Sequence, residues 1–152
     1  MKKLIAYAVQ TAICTVLLVI GSATTASAQG VGVRAGVSVD PDQFYFGGHY
    51  ETAPIVDRLR FRPNVEVGLG DDMTLVGLNL EFAYYFPTKT PWQFYAGGGP
   101  ALNIVDFHDN TDTQAGFNLM AGAQSREGLF VEFKIGLDSS PELKFGVGFT
   151  WR

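Results

Sequence analysis

Acidic and basic side chains in this 152-residue chain recur at alternate positions within apolar runs. Arg34 sits in VGVRAGVSV, and Arg60, Arg62 and Glu66 sit in LRFRPNVEVGLG. Glu81 lies in LNLEFAYYF, Glu132 and Lys134 in LFVEFKIGL, and Glu142 and Lys144 in ELKFGVGF. Residues two apart on a strand share a face, so these charges occupy one side and Val, Leu, Ile and Phe the other. If that charged side is removed from water, its members must pair, because an uncompensated buried charge costs several kcal/mol. The expected chemistry of Arg34, Arg60, Arg62, Lys134 and Lys144 against Glu66, Glu81, Glu132 and Glu142 is a hydrogen-bonded salt-bridge network. A narrow polar conduit is the alternative use of the same residues.

A second set is rich in aspartate. Asp40, Asp42, Asp71, Asp72, Asp106, Asp109, Asp112 and Asp138 fall in segments between apolar runs, with no Lys or Arg among them. Turn chemistry accounts for most of these residues, since Asp favours turns. Oxygen ligands suit Ca2+, which makes Asp106, Asp109 and Asp112 candidates for a weak divalent-cation site. Their spacing matches no EF-hand loop.

Nucleophilic catalysis would require a Ser with a His, or a similar constellation, in one place. His49 has Glu51 and Tyr45 on its face but no serine beside it, and His108 stands in an Asp-rich segment without an evident partner. The sole cysteine, Cys14, lies in the apolar N-terminal run, so the mature chain has no thiol for a disulfide, a metal or catalysis. The expectation is a protein with no catalytic residues and no cofactor.

The elements that position these residues begin after a leader. MKK is a positive n-region, LIAYAVQTAICTVLLVIGSA an apolar core, and TASAQ an Ala-x-Ala site with cleavage after Ala28. Residues 1–28 therefore read as a secretory signal peptide and 29–152 as one domain. Losing Lys2 and Lys3 takes the 11 basic residues to nine against 15 acidic ones, a net charge of −6. An acidic exported chain is a poor nucleic-acid partner.

The mature chain alternates with period two between clusters of turn residues. Strands are expected at Val31–Val39, Gln43–Glu51, Leu59–Gly70, Met73–Phe86, Trp92–Val105, Gln114–Gln124, Gly128–Leu137 and Glu142–Trp151. Short connections make an antiparallel up-and-down meander, and eight strands suffice to close a barrel. A two-residue turn at Asp71-Asp72 pairs Val67 with Val76, Phe61 with Phe82, Asn64 with Asn79 and Arg62 with Glu81. Apolar meets apolar, and an arginine meets a glutamate, which is favourable across a ladder.

Two barrels fit this pattern. A soluble lipocalin-like barrel would turn its apolar face inward around a ligand, whereas an outer-membrane barrel turns it outward to lipid. Glycine decides between them. Gly32, Gly36, Gly47, Gly68, Gly70, Gly77, Gly97, Gly99, Gly116, Gly122, Gly136, Gly146 and Gly148 lie on the polar side, and only Gly48 and Gly98 on the apolar side. Glycine weakens a strand and gains nothing on a solvated face, but inside a narrow barrel it makes room for Arg and Glu. Phe130, turned inward, is expected opposite Gly122 for the same reason. The apolar face then meets lipid, and strands of about ten residues match a tilted bilayer crossing. With the N-terminus in the periplasm, Tyr84, Phe86, Trp92, Phe94, Phe149 and Trp151 gather at the periplasmic boundary as an aromatic girdle. Pro63 and Pro100 fall mid-strand, where a local bulge and a shift of parity beyond it are the available account.

The signal peptide, the eight alternating strands, the segment WQFYAGGGPALN and the closing run LKFGVGFTW resemble the small outer-membrane β-barrel proteins of the OmpA/OmpX and opacity-protein-like group. The resemblance covers the whole mature chain and implies an eight-stranded transmembrane barrel in the outer membrane of a Gram-negative bacterium. It implies contact with outer-membrane lipid and lipopolysaccharide, passage through the barrel-assembly machinery, and a monomer with a structural or interactive role. Members usually end on an aromatic residue that the assembly machinery recognises, whereas here Trp151 is followed by Arg152. The connections on the outer side are shorter than in members that act as adhesins.

Overall fold

The computed structural model describes residues 29–107 and 110–152. The expected leader therefore lies outside the described residues, as do His108 and Asp109. The described chain forms eight strands: β1 (Gly30–Val39), β2 (Gln43–Glu51), β3 (Leu59–Gly70), β4 (Met73–Tyr85), β5 (Trp92–Phe107), β6 (Asn110–Ser125), β7 (Leu129–Asp138) and β8 (Leu143–Trp151). Each pairs antiparallel with the next, and β1 pairs with β8 to close the barrel. Closure leaves no edge strand with unpaired backbone groups.

The Asp71-Asp72 hairpin has the expected register, with Val67 against Val76, Phe61 against Phe82 and Arg62 against Glu81. A left-handed backbone at Asp72 (φ 59°) turns the chain there, a conformation Asp tolerates better than most residues. The largest departure is at the β5–β6 hairpin. Its two strands run 16 residues each, with Phe107 already paired to Asn110. Asp106 and Asp112 are thus strand residues rather than loop residues. The β6–β7 ladder begins only at Gly116, so this hairpin extends past β7, while β4 accompanies it as far as Phe107.

Burial is inverted relative to a soluble domain. Among the described residues, eighteen polar or charged ones are buried, against nine hydrophobic ones, while 27 large hydrophobic residues are exposed. Val33, Leu80, Phe133, Ile135 and Phe145 all point outward, and soluble monomers do not carry an apolar surface of that extent. The apolar side of the strands is the outside.

Neither proline introduces a bulge, and parity holds across both. Pro63 pairs in step with Leu80. Phe61, two residues earlier, turns its N–H and C=O to Thr52 on the β2 side. Pro63 turns the same way, and the continuous β2–β3 pairing stops at Asn64 and is resumed in the same register by Thr52 and Phe61, so the missing N–H interrupts the ladder for one position without shifting it. Pro100 pairs with Phe117 on β6, while the β4–β5 register skips Gly99 and Pro100 and then resumes unchanged.

Candidate functional site

The inward positions of all eight strands form a polar lumen, assembled from residues far apart in sequence. Glu132 on β7 lies at its centre. Its carboxylate accepts Arg34 Nη1 at 2.8 Å, Arg62 Nη1 at 3.1 Å and the Tyr95 hydroxyl at 2.6 Å. Lys134 Nζ reaches Glu81 at 2.7 Å and Glu66 at 3.0 Å, and lies 3.6 Å from Glu132. Glu66 also holds Lys144 at 2.7 Å and Arg34 at 3.3 Å. All seven of these charged residues are buried. In this setting each hydrogen bond is charge-assisted and stronger than its neutral equivalent.

Arg62 and Glu81 are Cα partners across the β3–β4 ladder, but their side chains part company. Arg62 turns to Glu132 and lies 3.6 Å from Glu51. Glu81 takes Lys134, the Asn64 amide at 2.7 Å and the Asn118 amide at 3.3 Å. An arginine is long enough to cross a narrow barrel, and the carboxylates on the opposite wall receive it. The amides continue the network: Asn118 donates to Asn79 at 2.8 Å, and Asn79 to Asn64 at 2.7 Å.

Aromatic rings fill the spaces between charges. The Arg62 guanidinium lies 4.8 Å from the centre of the Tyr95 ring and 5.3 Å from that of Phe130, with Arg34 at 5.5 Å from Phe130. Such contacts are worth more when desolvated. Phe130 pairs with Gln124 and Gly148 rather than with Gly122, because the β6–β7 turn is longer than the expected register allowed. The reason for the glycines survives with different partners. A Cβ at Gly148 would meet the Phe130 ring at 2.6 Å, and one at Gly122 would meet the Tyr95 hydroxyl at 2.5 Å.

A second cluster lies at the N-terminal end of the barrel. Glu51, fully buried, accepts Arg60 at 2.6 Å, Arg152 at 2.7 Å and the Tyr85 hydroxyl at 2.8 Å. Gln124 accepts Tyr85 and Arg152 and donates to the Thr150 hydroxyl. His49 Nε2 lies 2.9 Å from that same hydroxyl, while its Nδ1 is buried without a hydrogen-bond partner. A His–hydroxyl pair lacking an acid on Nδ1 and enclosed under Phe130 does not reproduce the nucleophile–base–orienter arrangement of a hydrolase.

Among the expected lumen charges, Glu142 is displaced. It precedes β8, is exposed, and donates its backbone N–H to the Asp40 carbonyl at the far end of the barrel. Sequence reasoning missed Glu51, Arg152, Tyr85, Tyr95 and Gln124 as network members. The available signal was parity, since each occupies an inward position or continues one.

Outside, Tyr84, Phe86, Trp92, Phe94, Phe149 and Trp151 all lie at the N-terminal end on the outward side. Tyr84 contacts Phe86, and Phe149 contacts Trp151, each with ring centroids 5.3 Å apart. At the far end, the candidate cation ligands do not converge. Asp106 pairs with Thr111 and Asp112 with Val105, so successive ladder positions send the two carboxylates to opposite faces. Asp109 lies outside the described residues. Asp112 instead accepts the Gln114 amide at 2.6 Å. No group of three or more candidate metal ligands occurs among the described residues.

An eight-stranded, all-antiparallel closed barrel with charges inside and aliphatic residues outside is the architecture of small outer-membrane β-barrels. Solved structures share it, three of them as follows. The N-terminal barrel domain of Pseudomonas aeruginosa OprF matches with a TM-score of 0.60 at 17% identity, over 81% of this chain and 96% of that one. Neisserial surface protein A matches with a TM-score of 0.58 at 13% identity, over 80% and 94%. A de novo designed transmembrane β-barrel matches with a TM-score of 0.56 at 15% identity, over 84% and 98%. The sequence matches no protein-family model and none of the curated proteins. At these identities the likeness defines the fold.

Proposed function

We propose that this chain is a monomeric β-barrel of the Gram-negative outer membrane, non-enzymatic, with a lumen closed to solutes and a structural or interactive role in the envelope. The observation that carries this reading is the central network, in which Arg34, Arg62, Glu66, Glu81, Glu132, Lys134 and Lys144 are buried and joined across the barrel. In this reading residues 1–28 are the cleaved signal peptide, and the N-terminal end of the barrel faces the periplasm. The six girdle aromatics lie at that boundary, lipid and lipopolysaccharide surround the outward face, and the run ending in Trp151 engages the barrel-assembly machinery.

A narrow channel is the second reading. It is favoured by Nε and Nη2 of both Arg34 and Arg62, which are buried donors without a hydrogen-bond partner and would suit water or a passing anion. Planar-bilayer recording on the purified protein separates the two. The closed reading expects no discrete conductance steps from the wild-type protein. Reproducible unitary steps that change in Lys134→Met would establish the channel instead.

A further inference from the structure

At the far end the lumen changes character. Met73 and Leu75 on β4 face Phe107 and Val105 on β5, and these apolar side chains form a wall above the charged network. The β7–β8 connection folds inward across the opening. Asn103 Nδ2 donates to the Ser139 carbonyl at 2.9 Å and lies 3.3 Å from Ser140 Oγ, and Glu142 N–H reaches the Asp40 carbonyl at 3.2 Å. Two inward glycines admit this fold. A Cβ at Gly116 would meet Ser140 N at 2.8 Å, and one at Gly136 would meet Ser140 Cβ at 2.7 Å. Between wall and connection remains a cavity of about 300 Å3, edged by Asp40, Asp138 and Glu142.

We infer that this cavity is a binding cup for a small amphipathic cation: an apolar body against Met73, Leu75 and Val105, and an ammonium or guanidinium group at the rim carboxylates. Its volume is at the small end of ligand pockets, and an apolar wall with a few convergent polar groups is their usual composition. The charge of the ligand follows from the rim. Asp40, Asp42, Asp71, Asp72, Asp138 and Glu142 stand at this end, and the described residues of its connections include no Lys or Arg. No salt bridge among the described residues engages Asp40, Asp138 or Glu142. A rim of one sign around a low-dielectric wall concentrates the opposite charge, and the apolar wall retains only a cation with hydrocarbon to bury.

The test uses the two strand methionines as reporters. Met73 lines the cup, whereas Met120 is buried lower in the lumen against Ala83, Tyr85 and Tyr95. The purified protein, labelled at methionine methyls and reconstituted in phosphatidylcholine nanodiscs, is titrated with 2-phenylethylamine, 2-phenylethanol and 3-phenylpropionate. The expected result is a saturable shift of the Met73 methyl with the amine, little change at Met120, and weaker responses to the alcohol and the acid. Asp138→Asn with Glu142→Gln should raise the apparent Kd about twofold to thirtyfold, the range for two solvent-exposed charge pairs. Both residues are exposed, and Asn tolerates the left-handed backbone of Asp138 (φ 58°), so the double variant is expected to fold. A Met73 methyl that does not move, or that moves in proportion to Met120, overturns the cup. Equal responses to all three compounds, or an unchanged Kd in the folded double variant, overturn the cationic ligand class.

Discussion

Glu132→Gln removes one charge from the centre of the lumen while keeping the side chain's size, and its consequence can be worked from the partners. Arg34 retains Glu66 at 3.3 Å, a longer contact than the 2.8 Å to Glu132 that weakens. Arg62 loses its closest anion and retains only Glu51 at 3.6 Å, with Nε and Nη2 already lacking hydrogen bonds. Breaking a buried pair from one side costs about 3–5 kcal/mol, and Glu132→Gln should fall in that range because two guanidiniums are left under-compensated. Among the described residues Lys144 has one ion-pair partner, Glu66, which keeps Lys134 and Arg34. Lys144→Met should therefore cost less, about 1.5–3 kcal/mol, the worth of one hydrogen bond to a charged group. Reversible urea unfolding in lipid vesicles, followed by tryptophan fluorescence, measures both. A Glu132→Gln variant within 1 kcal/mol of wild type, or less destabilised than Lys144→Met, would refute the central role of Glu132. A double-mutant cycle adds a stricter test: the coupling of Arg62 with Glu132 should exceed that of Arg62 with Glu81, although only the latter are ladder neighbours.

Gly148, on the inward side, should resist substitution, and Gly48, on the outward side, should not. Gly148→Ala brings a Cβ against both the Phe130 ring and the Val33 carbonyl, whereas at Gly48 the nearest atom is 3.6 Å away. On unheated gels Gly148→Ala should lose most of the compact, heat-modifiable band and Gly48→Ala should keep it; equal bands would refute the packing argument. The two tryptophans, Trp92 and Trp151, lie at one end of the barrel on its outer face. In single-tryptophan variants both should be quenched more strongly by lipids brominated near the acyl carbonyl than near the chain terminus, and the reverse order would place that end away from the interface. Arg152→Ala should destabilise the barrel by about 1.5–3 kcal/mol in the same urea assay, since it removes charge-assisted bonds to Glu51 and Gln124. An unchanged midpoint would mean that Arg152 adds nothing to the network.

The architecture was legible in the sequence for a physical reason. Period-two alternation is dictated by the pleat, and a barrel with one apolar face uses it on every strand. Parity alone separates Arg34, Glu66 and Lys134 from Val33, Val65 and Ile135. Glycine distribution then supplied the direction, because the rings of Phe130, Tyr95 and Tyr45 require facing positions without a Cβ. Registers followed where the turn was tight, as at Asp71-Asp72. They slipped where it was longer, which placed Phe130 one step from its true partner on β6. Pro63 and Pro100 misled for a related reason: the sequence marks a missing N–H but not that the pairing on either side holds the strand in register across the gap.

The partners inside the lumen follow a different rule. Ladder register relates each strand only to its two neighbours, so it set Arg62 beside Glu81 and could say nothing of Glu132, 70 residues away. Closing eight strands brings opposite walls within reach of an extended Arg or Lys, and the pairing there depends on shear, side-chain length and the rings between. That is why Lys134 crosses from β7 to Glu81 on β4 and Glu66 on β3, and why Arg34 on β1 reaches both Glu66 and Glu132. Each carboxylate of the central group thus ties strands that share no ladder. Unlike a ladder, a network of this kind forms fully only when the first and last strands have met.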